Sequence, residues 1–429
     1  MNRAERRRSK ALSRTKGEAE DIRGLLQLGD AEYRAGRLPQ AMSYYDKVLA
    51  TRPDHPDASN SLGIILCRLG DPGGSLAYFS RAIAADPANA FHHSNMGIAL
   101  KDLKRLDEAV TSFQKALAVR PDFAEAHSNL GATLQDLGRL EDAVAGYRRA
   151  IALRPDFAEA QYGLGIALLD QGETAAAAVH LRRYLDLDPQ DRQGAKLSLA
   201  AVGDGPMPAR ASEAHLGTIY ARRSRTWDEG ATGERSYRAA DLVAEAVLAL
   251  GHPPGQVPDS LDMLDAGCGT GLVGALLRGR ARRLDGIDIS PAMLERARAK
   301  GLYDRLHQGD LVAFLAGEIR SYDVIACAAT LIHFGDLLPA FAAAAGALRE
   351  DGLFAFTLFP NAEDTAVAVA TDPRLARGGC YAHGRDYVRR LAETTGFVVE
   401  RMDDVVHEYD EDQPIGGIIV VLRRSGGPS

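Results

Sequence analysis

Residues 121–154 read PDFAEAHSNLGATLQDLGRLEDAVAGYRRAIALR, a unit of 34 residues, and the chain repeats its pattern at that interval on both sides. Prolines stand at Pro53, Pro87, Pro121, Pro155 and Pro189, and glycines at Gly29, Gly63, Gly97, Gly131 and Gly165. Small residues keep step at Ala41, Ser75, Ala109, Ala143 and Ala177, and bulky ones at Tyr45, Phe79, Phe113, Tyr147 and Leu181. Each spacing suits a pair of antiparallel helices. Gly and the small residue let two backbones approach closely, the bulky residue fills the seam beside them, and proline stops the second helix because it cannot continue the ladder. One such pair cannot bury its own apolar face, so the pairs must stack into a superhelix.

The pattern resembles the tetratricopeptide repeat, in five units at 22–55, 56–89, 90–123, 124–157 and 158–191. Stacking leaves a concave groove. His93 and Asn95 recur there as His127 and Asn129, and in arrays of this family Asn at that position can hold an extended peptide. The resemblance therefore implies a protein or peptide partner in the groove, while solvated polar positions are the other reading of these residues. The segment 192–202 reads as a helix capping the last repeat, within an all-α domain at 22–202. Residues 203–212, GDGPMPARAS, have the glycine and proline density of a linker.

Composition narrows the setting. At 429 residues the chain is long enough for about three domains, and 46% hydrophobic with 25% charged residues is the balance of a globular protein. The net charge is −7, yet a basic arm at 1–21 begins with seven basic residues and one acid in its first sixteen, which leaves about −13 for the rest. Neither large part offers the basic field that phosphate backbones demand, so no nucleic-acid substrate is expected. Cys67, Cys268, Cys327 and Cys380 form no C-x-x-C pair and no disulfide framework. No apolar run approaches a membrane span, and the start MNRAERRRSK lacks the apolar core of a secretory signal. These features predict a cytoplasmic location. A mitochondrial transit peptide is the alternative, against which stands the lack of an amphipathic apolar stripe.

From 213 to 429 the period changes. The apolar runs LDMLDAG, RLDGIDIS, YDVIACAA and GLFAFTLF alternate with helix-like stretches, the mark of a parallel sheet with helices on both faces. The last runs, FVVERMD and GIIVVLRR, leave no room for a crossover helix and predict an antiparallel hairpin at the sheet edge.

After the first run comes Asp265-Ala-Gly267-Cys268-Gly269-Thr-Gly271, with a helix beginning at Leu272. Such a loop turns sharply and lets a nucleotide-like ligand lie against the backbone. Gly269, Gly271 and Gly274, with Asp288 further on, also satisfy the G-x-G-x-x-G pattern of a dinucleotide fold. Against that reading, an acid two residues before the first glycine suits a cationic moiety and has no evident task beside a pyrophosphate. The second run ends GIDIS and the third Gly309-Asp310-Leu311; a carboxylate there can accept from an adenine amino group.

These motifs resemble the class I S-adenosylmethionine-dependent methyltransferases over residues 213–425. The resemblance implies a Rossmann-like seven-stranded sheet whose final strand is antiparallel, with S-adenosylmethionine as cofactor. It further implies that Gly267, Gly269 and Gly271 lie under the methionine part, that Asp288 binds the ribose hydroxyls, and that Asp310 sits near the adenine. Asp265, Cys268, Ile289 and Leu311 fall among the cofactor contacts it implies. The architecture is similar to bacterial methyltransferases fused behind tetratricopeptide repeats, which carry the segment Tyr220 to Asp228 and the triplet Tyr381-Ala382-His383. Tyr220 is expected to close over the ligand. His333, after the fourth run, and His383, after the fifth, are the candidates for a base or acceptor orienter; structural packing or solvation are the alternatives. No H-e-x-x-h or paired C-x-x-C spacing appears, which points to a reaction without a metal. The sequence thus predicts a methyltransferase of unknown acceptor whose repeats dock a partner. Its rivals are an interaction scaffold with a non-catalytic cofactor-binding domain and an NAD-linked oxidoreductase.

Overall fold

The computed structural model describes residues 21–224, 227–228, 237–250, 261–364, 367–370, 375, 378–410 and 413–425. The basic arm lies outside them except for its last residue. The chain divides into two compact units, Met1–Tyr184 and Leu185–Ser429. Among the described residues no helix is long and apolar enough to cross a membrane.

The first unit is built from helices in antiparallel succession: α1 (21–34), α2 (Leu38–Thr51), α3 (Pro56–Leu69), α4 (Pro72–Ala85), α5 (Ala90–Asp102), α6 (Leu106–Val119), α7 (Ala124–Asp136), α8 (Leu140–Leu153), α9 (Ala158–Asp170) and α10 (Thr174–Leu187). Every second helix stops two residues before its repeat proline. The 34-residue period has a steric cause. A Cβ added at Gly29 would come 2.8 Å from the Tyr45 ring, at Gly63 2.6 Å from Phe79, at Gly97 2.8 Å from Phe113, and at Gly165 2.7 Å from Leu181. Ala41, Ser75, Ala109, Ala143 and Ala177 are all wholly buried beside those seams.

The groove histidines have a structural task. His93 Nε2 and His127 Nε2 each lie 3.0 Å from the carbonyl of the proline six residues earlier, Pro87 and Pro121. Gln161 holds the equivalent position and donates to Pro155 O at 3.3 Å. The three side chains lock each helix pair to the turn before it. Asn95 donates to Asn60 at 3.0 Å.

The second unit begins with α11 (Ala195–Ala201), α12 (Glu213–Arg223) and α13 (Ala239–Ala249). There follow β1 (Leu261–Ala266), α14 (Leu272–Leu277), β2 (Ala281–Asp288), α15 (Pro291–Lys300), β3 (Arg305–Gln308), α16 (Leu311–Ala316), β4 (Tyr322–Cys327), α17 (Leu338–Ala347) and β5 (Leu348–Pro360). The chain ends with β6 (Val367–Val369), β7 (Tyr381–His383), α18 (Arg385–Thr394), β8 (Phe397–Asp410) and β9 (Gln413–Arg424). Strands β3, β2, β1, β4 and β5 pair in that order and all in parallel. β9 enters antiparallel between β5 and β8, which is the seven-stranded pattern expected. Two short strands add to it: β7 pairs with the end of β5, and β6 with β7. The triplet Tyr381 to His383, read from the sequence only as lying after the fifth run, is a buried strand.

Two N-terminal pieces of this unit differ in placement from the sequence reading. Helix α11, expected to cap the repeats, buries Leu197 against Val369 and Tyr381. The segment read as a linker is bonded to the sheet unit: Ala211 N–H donates to His333 O at 2.9 Å, Gly335 N–H donates to Ala209 O at 2.8 Å, and the Tyr381 hydroxyl donates to Pro208 O at 2.9 Å. Proline and glycine keep this segment out of a helix, but the groups of residues 209 and 211 stay available for pairing.

Candidate active site

The loop between β1 and α14 is shaped by three left-handed glycines, with φ of +77° at Gly267, +53° at Gly269 and +93° at Gly271. At Gly267 an added Cβ would meet Thr330 Oγ1 at 1.9 Å, whereas at Gly269 it would meet nothing within 4 Å and would project into open space. That space is a pocket partly open to solvent. It lies over the carboxyl ends of the parallel strands, where ligands of such sheets bind.

Of the residues expected to hold the cofactor, the pocket brings together Gly267, Cys268, Gly269, Asp288, Ile289, Asp310, Leu311 and Tyr220, with His333 beside them. Asp288 accepts from Gly269 N–H at 2.9 Å through Oδ2 and from Ser290 N–H at 2.8 Å through Oδ1. Burial raises its carboxyl above the ordinary range, against the pull of those amides. Each oxygen keeps a further lone pair for a donor from the pocket. Asp310 caps α16 by accepting from Ala313 N–H at 2.9 Å, and its other oxygen accepts from Arg210. The Cys268 thiol is pushed far up by burial and the nearby acids Asp265 and Asp288. That is the state of a packing residue and not of a nucleophile.

Asp265, Gly271 and His383 are not part of the pocket wall. Asp265 is buried behind the loop, where Oδ2 accepts from the Tyr303 hydroxyl at 2.6 Å and from Gly274 N–H at 3.0 Å, while Oδ1 has no partner among the described residues. Burial pushes its carboxyl up to about 7. His383 is wholly buried in β7, with Nε2 2.7 Å from Phe334 O. Burial holds it down to about 4. Its ring fixes the loop after β4 from behind.

His333 does face the pocket. Its Nδ1 lies 3.0 Å from Gly379 O and its Nε2 2.6 Å from the Tyr220 hydroxyl. Burial lowers it to about 4, so it is neutral near pH 7. Tyr220 also packs edge-on against Trp227, with ring centroids 6.0 Å apart, and Trp227 lies 5.3 Å from Tyr237. All three rings line the same pocket.

Sequence reasoning gave no role to several residues in or beside this wall. Thr330 fills the space that Gly267 leaves and donates to Ala266 O at 3.2 Å. It follows Ala329, a non-glycine residue at φ +51°, the kind of strained backbone that gathers at functional sites. Asp228 accepts from the Thr270 hydroxyl and pairs with Lys300 at 2.9 Å, which ties the Tyr220–Asp228 segment to the glycine loop. Arg210 lies on the supposed linker and bonds Asp310 and Glu213. The available signal was the Y-x₇-D spacing itself, since an acid at a fixed distance from a pocket aromatic calls for a partner.

With this geometry the class is defined: the chain carries tetratricopeptide repeats followed by a methyltransferase domain. Residues 264–356 match a family model described as a methyltransferase domain, and residues 26–90, 99–138, 134–172 and 159–191 match tetratricopeptide repeat models. Among curated proteins, the human Methyltransferase-like protein 27 is 49% identical over 72 residues, 16% of this chain and 28% of that protein. The malonyl-[acyl-carrier protein] O-methyltransferase of Acetivibrio thermocellus is 36% identical over 107 residues, 23% of this chain and 36% of that one. The chain thus spans about a third of the length of these relatives. Among solved structures, the functionally characterised PilF of Pseudomonas aeruginosa aligns with 49% of this chain and 94% of its own at 20% identity and a TM-score of 0.41.

Proposed function

We propose that the protein is an S-adenosylmethionine-dependent methyltransferase, acting in the cytoplasm on an acceptor delivered with the help of its repeats. One observation carries this reading: the Asp288 carboxylate, held by two backbone amides beside a glycine loop, stands in a pocket that Asp310 also lines. The residues fit the cofactor. Gly269 leaves open the space a side chain would fill, Asp288 keeps lone pairs for the ribose hydroxyls, and Asp310 keeps one for the adenine amino group. The lining acids Glu213, Asp288 and Asp310 outnumber Arg210, which suits a ligand with a sulfonium and an ammonium. The rival NAD reading would bring a pyrophosphate into that acidic wall.

S-adenosylmethionine would supply an electrophilic methyl group whose departure from sulphur needs no acid. The protein's share is therefore positioning, worth at most about 7–11 kcal/mol. Tyr220, Trp227 and Tyr237 wall the acceptor side and exclude water. His333, neutral and bonded at both nitrogens, orients Tyr220 and is not poised to take a proton. The repeats resemble arrays that hold protein segments, which supports docking of a protein partner or substrate.

The test is turnover. Purified full-length protein given S-adenosylmethionine and cell extract should release S-adenosylhomocysteine, and Asp288→Ala should abolish that release while the repeat unit keeps its melting transition. Unchanged release by the variant would remove Asp288 from the site.

A further inference from the structure

We propose that the hydroxyl oxygen of Tyr220 is the acceptor-binding atom and that it selects a methyl acceptor bearing an N–H or O–H group at the atom to be methylated, not a carboxylate. This rests on the methyltransferase reading and adds to it the chemical class of the acceptor.

The argument begins at Gly379. Its carbonyl can only accept a hydrogen bond, so the 3.0 Å contact with His333 Nδ1 places the imidazole proton on that nitrogen. Nε2 then offers only a lone pair. The Tyr220 hydroxyl, 2.6 Å away, must donate to it. Among the described residues this is the only hydrogen bond of that hydroxyl. The chain of bonds therefore runs one way, from Tyr220 through His333 to Gly379, and leaves Tyr220 with nothing but lone pairs to present to the pocket. An N–H or O–H completes that arrangement. A carboxylate, which can only accept, would meet it with repulsion.

A second observation points the same way. Recognition of a carboxylate commonly uses a paired cation. Among the described residues of the pocket wall, Arg210 is the only lysine or arginine, and its guanidinium is taken by Asp310 and Glu213. Trp227 and Tyr237 complete the surround with aromatic surface, which suits the flat or apolar body of an amine or hydroxyl compound.

In the reaction, the acceptor's lone pair forms the new bond to the methyl carbon as the sulphur–carbon bond breaks and its electron pair stays on sulphur. The N–H or O–H keeps its bond to Tyr220 during the transfer, and the surplus proton is lost to water at the open side of the pocket as the product leaves, because both nitrogens of His333 are engaged.

The test incubates the full chain with methyl-tritiated S-adenosylmethionine and fractionated extract of cells lacking the protein. Labelled product is then treated with alkali, which frees methyl esters as volatile methanol and leaves N-methyl and ether products intact. The proposal expects the tritium to stay non-volatile. It also expects Tyr220→Phe to raise the KM for the labelled fraction about three- to tenfold, the worth of one hydrogen bond, with the affinity for S-adenosylhomocysteine unchanged. Volatile tritium would overturn it. So would a Tyr220→Phe variant that loses affinity for S-adenosylhomocysteine, which would assign the hydroxyl to the cofactor. A wild-type chain that binds no S-adenosylhomocysteine at all would instead fell the methyltransferase reading, and this proposal with it.

Discussion

Gly267→Ala puts the reading of the glycine loop to a direct test. The new Cβ would stand 1.9 Å from Thr330 Oγ1 and 2.8 Å from both Thr330 Cβ and Cγ2. Alanine at φ +77° costs about 1–2 kcal/mol on backbone grounds alone. To clear the methyl group Thr330 must turn, which gives up its bond to Ala266 O and costs about 0.5–1.5 kcal/mol more. The sum, about 1.5–3.5 kcal/mol, should lower the melting temperature of a unit this size by roughly 3–14 °C, at about 2–4 °C per kcal/mol. Scanning calorimetry of the full chain is the assay, since the repeat unit carries no change and serves as internal reference. Thr330→Gly removes every clashing atom, so the double variant should recover the steric part, about 1 kcal/mol, and retain the backbone part. A single variant that melts with the wild type, or a double variant whose losses simply add, would show that Gly267 and Thr330 do not meet as described.

Three further outcomes are expected. In the repeats, Gly63→Ala should destabilise by about 1–3 kcal/mol through overpacking onto Phe79, whereas Gly24→Ala, with nothing within 4 Å of its Cβ, should stabilise by up to about 1 kcal/mol; urea midpoints of both variants check the contrast. Tyr303→Phe strips Asp265 of its 2.6 Å donor and should cost about 1–3 kcal/mol, read as a lower melting temperature of the second unit. The third concerns pH. Burial holds His333, His383 and His407 down to about 4, so between about 6.5 and 4 the unfolded chain takes up protons that the folded chain refuses. Stability from these groups is present above 6.5 and lost as pH falls toward 4. Asp265, raised to about 7, works the other way, as does Asp288. Asp191 and Asp285 of the same unit are raised by burial as well, so the histidine effect is read by difference: the gap in urea midpoint between wild type and His407→Gln should shrink as pH falls from about 6.5 to about 4, and a gap that does not change with pH would contradict it.

Much of this was legible in the sequence because close approach leaves a period. The spacing from glycine to bulky residue within each repeat is fixed because, at most of its occurrences, a Cβ on the glycine would come within 3 Å of that side chain, so the pattern could not drift. The parallel strands were legible because they are buried on both faces, as Leu261–Ala266 and Tyr322–Cys327 are throughout. What stayed hidden depended on partners far apart in sequence. Glycine and proline in 203–212 reported the absence of a helix and nothing about pairing, so the bonds from Ala209 and Ala211 to the loop after β4 left no local trace. His93 and His127 resembled groove ligands until Gln161, in the same position, proved to make the same bond to a proline carbonyl. His383 and His333 were equivalent by motif, and only the fold shows one behind the wall and one in it. Asp265 was read as a ligand from its place before the glycines, yet Tyr303 and Gly274 claim its carboxylate from the other side.

The central claim is that the pocket over Gly267, Gly269 and Asp288 is shaped for S-adenosylmethionine. Calorimetric titration of the full chain with S-adenosylhomocysteine and, separately, with NAD measures this most directly. One S-adenosylhomocysteine should bind per chain, with no heat from NAD; binding of NAD and not of S-adenosylhomocysteine would contradict the account.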